Sequence, residues 1–450
     1  MSYFLYSVLL AAGMVSALPY WIFQMARHCK YRLGLSERLG KVPARLRLGS
    51  LNERSSTPPA PLIWVHAVSV GEVLAIGGLV EALRQRFTQH RIVVSTTTDT
   101  GQALARKRFG EENVFYFPMD FAFAIRPYLR ALRPQLVVIA ETEFWPNFLR
   151  LTHSSGARIA VVNARISDRS WPDYRRFRWA LRRMLANVDL FLAQTEQDAA
   201  RLRDIGAKPE RVRVTGNLKF DMQPPAQALI VDTLRESISQ AGSQASAGPI
   251  LVCGSTVEGE EPLLLKAFEN VLVRHPRAVM LLVPRHPERF ESVAMLLRQM
   301  SIRFWRRSLW NEESVAGGVL LVDTIGELAA LYALADVAFV GGSLVPRGGH
   351  NIIEPAQHGV AITVGNHTEN FRDIVSLFHS REAVRIAGPA ELPLVWMELL
   401  ANDAERKALG QRAAETMRSQ AGASARTADE LQDLLAVERM PLLSSTRPAP

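Results

Sequence analysis

The sequence predicts an α/β protein with two doubly wound parallel sheets in one chain, preceded by a membrane-anchor helix. Three observations carry this expectation. From Leu62 onward, short β-branched runs alternate with longer segments of helical period, the mark of βαβ units around a parallel sheet. The rhythm breaks near Asp221 and a second series begins at Pro249. The stretch from Met1 to Ala26 contains no charged side chain and is followed by Arg27, His28, Lys30 and Arg32.

In the first series, strands are expected at residues 62–68, 92–97, 114–118, 136–141, 158–163, 190–194 and 212–215, with helices such as Val73 to Phe87 and Trp171 to Leu185 between them. MQPPAQ at 222–227 and the polar SISQAGSQASAGP at 237–249 bracket one helix and form a linker region. The second series runs through PILVCGST (249–256), AVMLLVPR (278–285), VLLVDT (319–324), DVAFVGG (336–342) and AITVG (361–365). The expected organisation is an anchor over 1–27, a first domain over 28–220, a second over 221–402, C-terminal helices over 403–438 and a disordered tail over 439–450. Open parallel sheets bind ligands at the carboxyl ends of their strands, so the chemistry is sought in the segments just after them.

The apolar N-terminal run matches the ~20 residues needed to cross a bilayer, and its basic flank places the bulk of the chain on the cytoplasmic side. With 48% hydrophobic and 22% charged residues the composition is globular. Only two cysteines occur, Cys29 and Cys253, which argues against a disulfide framework or a Cys/His metal cluster. The net charge of +9 favours an anionic partner.

Among the motifs, SVGE at 69–72 fits a capping box, in which Ser69 and Glu72 would each satisfy the other's amide. The same glutamate, at a strand end, also suits a general base. ETEFWPN at 141–147 places Glu141 and Glu143 beside Phe144 and Trp145, a set fit for sugar hydroxyls, or else a strand-to-helix turn with Pro146 at the helix start. DYRRFRWALRR at 173–183 is a basic segment suited to anionic lipid headgroups. VPRHPERF puts Arg285 directly after a strand, where its fork can pair with phosphate. The glycine loop ending at His350, with a helix starting near Asn351 and Glu354 one turn in, reads as an anion and ribose site. No P-loop, no GxGxxG after the first strand and no DxD pair occurs. A metal-free, cofactor-free, two-domain transferase gains ground, and a nucleic-acid binder leaves the strand-end glutamates without a purpose.

Taken together, HAVSVGE, ETEFWPN, NARIS, TGNLKFD, VPRHPERF, GELAALYALADVAFVGGS and GGHNIIEPA resemble the bacterial transferases of 3-deoxy-D-manno-octulosonic acid (Kdo). The resemblance implies a GT-B architecture, two Rossmann-like domains facing a cleft, at the inner membrane. It implies inverting transfer of Kdo from CMP-Kdo to a lipid A precursor, with a UDP-sugar donor as the rival. By the same resemblance Glu72 is the catalytic base, Glu141 an acceptor-side residue, and the CMP-binding residues are Pro284, Arg285, Ile325, Gly326, Glu327, Asn351, Ile352, Ile353 and Glu354. One departure is Val257 in STVEGEE, where relatives often carry histidine.

Overall fold

The computed structural model describes residues 3–28, 33–47, 60–168, 170–222, 229–239 and 248–436. The expected tail over 439–450, the basic residues Lys30 and Arg32, and most of the predicted linker lie outside these. The chain forms two compact units, one of residues 1–222 with 421–450 and the other of 223–420.

The first unit holds a seven-stranded sheet of β1 (Leu62–His66), β2 (Arg91–Thr96), β3 (Val114–Tyr116), β4 (Leu136–Ala140), β5 (Arg158–Ala164), β6 (Leu190–Ala193) and β7 (Val212–Val214). Its order is β3-β2-β1-β4-β5-β6-β7, with every pairing parallel. Parallel strands covered on both faces must be apolar throughout, and β1 is buried at all five positions. Its side chains alternate between two layers. Trp64 packs with Phe115, Tyr128 and Phe148 on one face, while Ile63 and Val65 pack with Val73 and Leu79 on the other.

The second unit repeats the plan with β8 (Ile250–Thr256), β9 (Val279–Pro284), β10 (Phe304–Arg306), β11 (Gly318–Leu321), β12 (Val337–Val340), β13 (Ala361–Val364) and β14 (Arg385–Ile386). Its order, β10-β11-β9-β8-β12-β13-β14, is again wholly parallel. The sequence reading passes over the edge strands β10 and β14: β14 has two residues, too few for a pattern, and β10 is three residues of which none is fully buried. Each sheet has one switch point, where the order turns: between β1 and β4 in the first, between β8 and β12 in the second.

Three predicted elements are divided. The helix expected over Val73–Phe87 is two, Val70–Ala75 and Gly77–Arg86, broken beside the weak helix formers Gly77 and Gly78. The one expected over Trp171–Leu185 breaks at Phe177. The helical segment expected over 403–438 is shared between units: Asp403–Ser419 lies in the second, and Ala423–Ala436 lays Ala428 and Leu431 into the first sheet's covering layer. Asp221 fixes that return, its carboxylate accepting the Gly422 amide at 2.6 Å.

The N-terminal helix Tyr3–His28 contains Pro19, and its Tyr3–Tyr20 stretch, of mean hydropathy 1.5, is long and apolar enough to cross a membrane by length and composition. Tyr3, Tyr6, Ser7, Leu10, Met14 and Ala17 are half-buried at helical spacing, whereas Phe4, Leu5, Val8, Leu9 and Val15 on the remaining surface are exposed.

Candidate active site

The first switch point gathers three carboxylates. Glu72 follows β1, and Glu141 and Glu143 follow β4, the neighbouring strand across the switch. Glu72 Oε2 accepts the Val68 amide at 2.7 Å, and Oε1 accepts the Ser69 hydroxyl at 3.0 Å. This differs from the expected capping box, since Ser69 gives its proton to the carboxylate and makes no side-chain cap to the helix. Each carboxylate oxygen keeps a second lone pair, so the side chain both closes the turn and remains able to take a proton.

Burial pushes the Glu72 carboxyl up to about 7, helped by the neighbouring charge of Glu141 and, more weakly, Glu143, against the pull of the Val68 amide and Ser69 hydroxyl. A carboxylate titrating there is a strong enough base at neutral pH to receive an alcohol's proton in a transition state. Glu143 is also raised, by burial first.

Glu141 stands in left-handed backbone, φ 56°, directly past β4, and pairs with Lys219 at 3.2 Å. Asn163, at the end of β5, shares that conformation at φ 53° and accepts the Leu218 amide through Oδ1. These two contacts draw the NLKFD segment, 217–221, under the carboxylate loop. Lys219 and Asn163 lie in the TGNLKFD and NARIS stretches, and sequence reasoning assigns neither a role. His66, at the end of β1, is structural: it is fully buried, stacked on Phe117 at 3.9 Å, with Nδ1 against Ser95, and burial holds it neutral at about 3.

In the second unit the predicted CMP-binding residues all follow strands of one sheet. Pro284 ends β9 and Arg285 comes next; Ile325, Gly326 and Glu327 follow β11; Asn351, Ile352, Ile353 and Glu354 end the long loop after β12. Arg285 lies within electrostatic reach of both Glu354 and His350: burial raises the Glu354 carboxyl against the pull of Asn351 and Arg285, and Arg285 and His286 reinforce burial in lowering His350. His350 Nδ1 donates to the Gly341 carbonyl at 2.7 Å, leaving Nε2 for other partners. Ile352 and Ile353 are fully buried and position their neighbours by packing. Ile325 is exposed, and Glu327 is held by Arg307 at 3.0 Å and by Thr324.

The glycine loop itself is occupied from within. The Glu260 carboxylate accepts the amides of Gly342, Ser343 and Leu344 at 2.7–2.9 Å and that of Val257 at 3.0 Å. A phosphate would otherwise suit that ring of amides. The amides of 342–344 thus serve an internal anion, and the anion site expected at Arg347–His350 and the helix start near Asn351, with Arg285, is left for the ligand. The signal was present in STVEGEE, where the first of two adjacent glutamates, Glu260, is the anchor. Val257 is itself buried, so the position where the family resemblance leads one to expect histidine is filled here by an apolar side chain.

Gly341 shows how close the two switch-point loops run, since a Cβ there would meet the Ser255 carbonyl oxygen at 2.5 Å. Gly341→Ala is expected to cost about 1–3 kcal/mol, read by urea unfolding, because backbone on both sides must shift.

A model of the family described as "3-Deoxy-D-manno-octulosonic-acid transferase (kdotransferase)" matches residues 34–222. The chain is 36% identical over 435 residues to the 3-deoxy-D-manno-octulosonic acid transferase of Bordetella pertussis, covering 94% of this chain and 97% of that one. The chain belongs to the Kdo transferase family. The Haemophilus influenzae member agrees, at 34% identity over 90% of this chain and 92% of its own. This transferase is thus a glycosyltransferase of lipopolysaccharide synthesis. Its fold is GT-B-like: the solved UDP-GlcNAc 2-epimerase of Neisseria meningitidis superposes with a TM-score of 0.58 over 83% of this chain and all of its own, at 14% identity.

Proposed function

We propose that this transferase moves Kdo from CMP-Kdo to a hydroxyl of a lipid A precursor by direct displacement with inversion, with Glu72 as the base. The observation that carries the reading is the carboxyl of Glu72, raised to about 7 at the switch point of the first sheet and backed by Glu141 and Glu143. The acceptor O–H gives its proton to Glu72, the oxygen bonds to the anomeric carbon of Kdo, and CMP leaves with the electron pair of the broken bond. Glu141, held by Lys219, offers its remaining lone pairs to acceptor hydroxyls. Arg285 supports the departing phosphate, and Glu354 with Asn351 takes the ribose hydroxyls.

The membrane side of the reading, with the catalytic domains at the cytoplasmic face of the inner membrane, is supported by the exposed apolar face of the N-terminal helix and the basic flank after it. The basic segment 173–183 adds attraction to anionic lipid.

Mass spectrometry of products formed from CMP-Kdo and a lipid A precursor tests donor and acceptor together. CMP is expected to compete with the donor and UDP is not; inhibition by UDP alone refutes the donor assignment. Arg285→Gln is expected to raise KM for CMP-Kdo roughly 10- to 100-fold, the loss of a charge-assisted pair with phosphate, and to leave the acceptor KM in place.

A further inference from the structure

The two adjacent glutamates of STVEGEE serve two different loops. Glu260 holds the loop after β12 by its amides. Glu261, the first residue of helix Glu261–Arg274, is fully buried and turns toward the segment after β9. Its Oε1 accepts Arg289 Nη1 at 2.5 Å and its Oε2 accepts Nη2 at 3.1 Å, so one carboxylate grips both arms of the guanidinium. Two parallel bonds fix the plane of an arginine as well as its place. Oε1 also accepts the Thr256 hydroxyl at 3.0 Å, which ties the pair to the end of β8.

Arg289 closes the turn that Arg285 opens. Residues 285–288 are exposed, so their side chains bury little that would hold the turn. Its ends are held instead. The Arg285 amide donates to the Thr256 carbonyl at 2.9 Å, the Arg289 amide donates to the His286 carbonyl at 3.0 Å, and the Arg289 side chain reaches Thr256 through Glu261. Thr256 therefore anchors the turn twice, by its carbonyl at one end and its hydroxyl at the other. The β8–β9 register shifts between Gly254 and Thr256, and Ser255 between them stands in left-handed backbone at φ 56°. An extra residue of this kind bends a strand end and re-aims what it holds. Of the turn's two arginines, Arg289 is engaged by an internal carboxylate and Arg285 is exposed beside the segment 351–354.

We propose that Glu261 and Arg289 are positioning residues for the donor: their paired bonds fix the turn 285–289 so that Arg285 meets the phosphate of CMP-Kdo in one orientation. The inference rests on the reading of Arg285 as the phosphate contact and adds the pair that aims it. The pair acts on the phosphate through Arg285 and leaves the base and ribose contacts alone.

Titration calorimetry of the full-length enzyme with CMP and with cytidine, which lacks the phosphate, tests this. Glu261→Gln and Arg289→Gln are each expected to weaken CMP binding roughly 10-fold and to leave cytidine binding unchanged. Arg289→Lys keeps a charge opposite the buried carboxylate and gives up the second parallel bond, and is expected to lose roughly 3-fold. It reports on aim even where Glu261→Gln strips Arg289 of its counter-charge and unfolds the unit. In an Arg285→Gln background, Glu261→Gln is expected to add no further loss of CMP binding, since a group acting through Arg285 has nothing left to act on. Equal losses for CMP and cytidine overturn the proposal, because a general brace of the unit gives that pattern. A Glu261→Gln loss that persists in full without Arg285 also overturns it, as does unchanged CMP affinity in both Arg289→Lys and Arg289→Gln. Wild-type affinity for CMP in Arg285→Gln alone instead refutes the donor-site reading, and the inference falls with it.

Discussion

Glu72→Gln is expected to lower kcat by about 10²–10⁴-fold while the melting temperature stays within a few degrees of wild type. Glutamine keeps the shape and one acceptor oxygen for the Val68 amide, but it cannot accept the acceptor's proton. Wild-type kcat/KM should climb with pH and level off once Glu72 is ionised, above about 7. Stability runs the other way. The folded carboxyl titrates above its ordinary value of 4.5, so its stabilising contribution is full below 4.5 and is lost as pH rises through about 7. Glutamine has no such loss, and the variant should therefore gain stability relative to wild type across that window. The pair of outcomes separates base from structural brace: a variant that melts early and keeps its turnover has lost only a turn.

Glu260→Ala is expected to destabilise the second unit by at least ~3 kcal/mol, because four buried or half-buried amides lose their acceptor at once. For a unit of this size that corresponds to a fall of roughly 6–12 °C in melting temperature, seen by calorimetry as a shift of one transition. CMP binding should weaken with it, since the loop 341–350 carries His350 and leads into Asn351–Glu354. Glu260→Gln should fall between the two, its amide nitrogen facing donors where an oxygen stood. A melting temperature unchanged in Glu260→Ala contradicts the account of the loop as held by an internal anion.

The two substitutions show what pattern reading reaches and where it stops. Glu72 and Glu260 both stand near the start of a helix after a strand, in the similar contexts SVGE and VEGE. Their neighbours across the switch point give them different work. Burial first, and then the like charge of Glu141 and Glu143, raises Glu72 toward a base's range, whereas three amides of the loop after β12 close on Glu260 and turn it into a brace. Neither set of neighbours is close in sequence, so spacing alone could not tell the roles apart.

The sequence by itself determined the chain order of twelve of the fourteen strands, the break near Asp221, the apolar first helix and the strand ends at which Glu72, Glu141, Arg285 and Glu354 stand. These depend on local periodicity and on residues adjacent in the chain. Only the tertiary structure decided that Ala423–Ala436 returns to the first sheet, that Lys219 pairs with Glu141, and that Arg289 pairs with Glu261. Those contacts join residues tens to hundreds of positions apart, and the sheet order that brings them together leaves no trace in any short window of sequence.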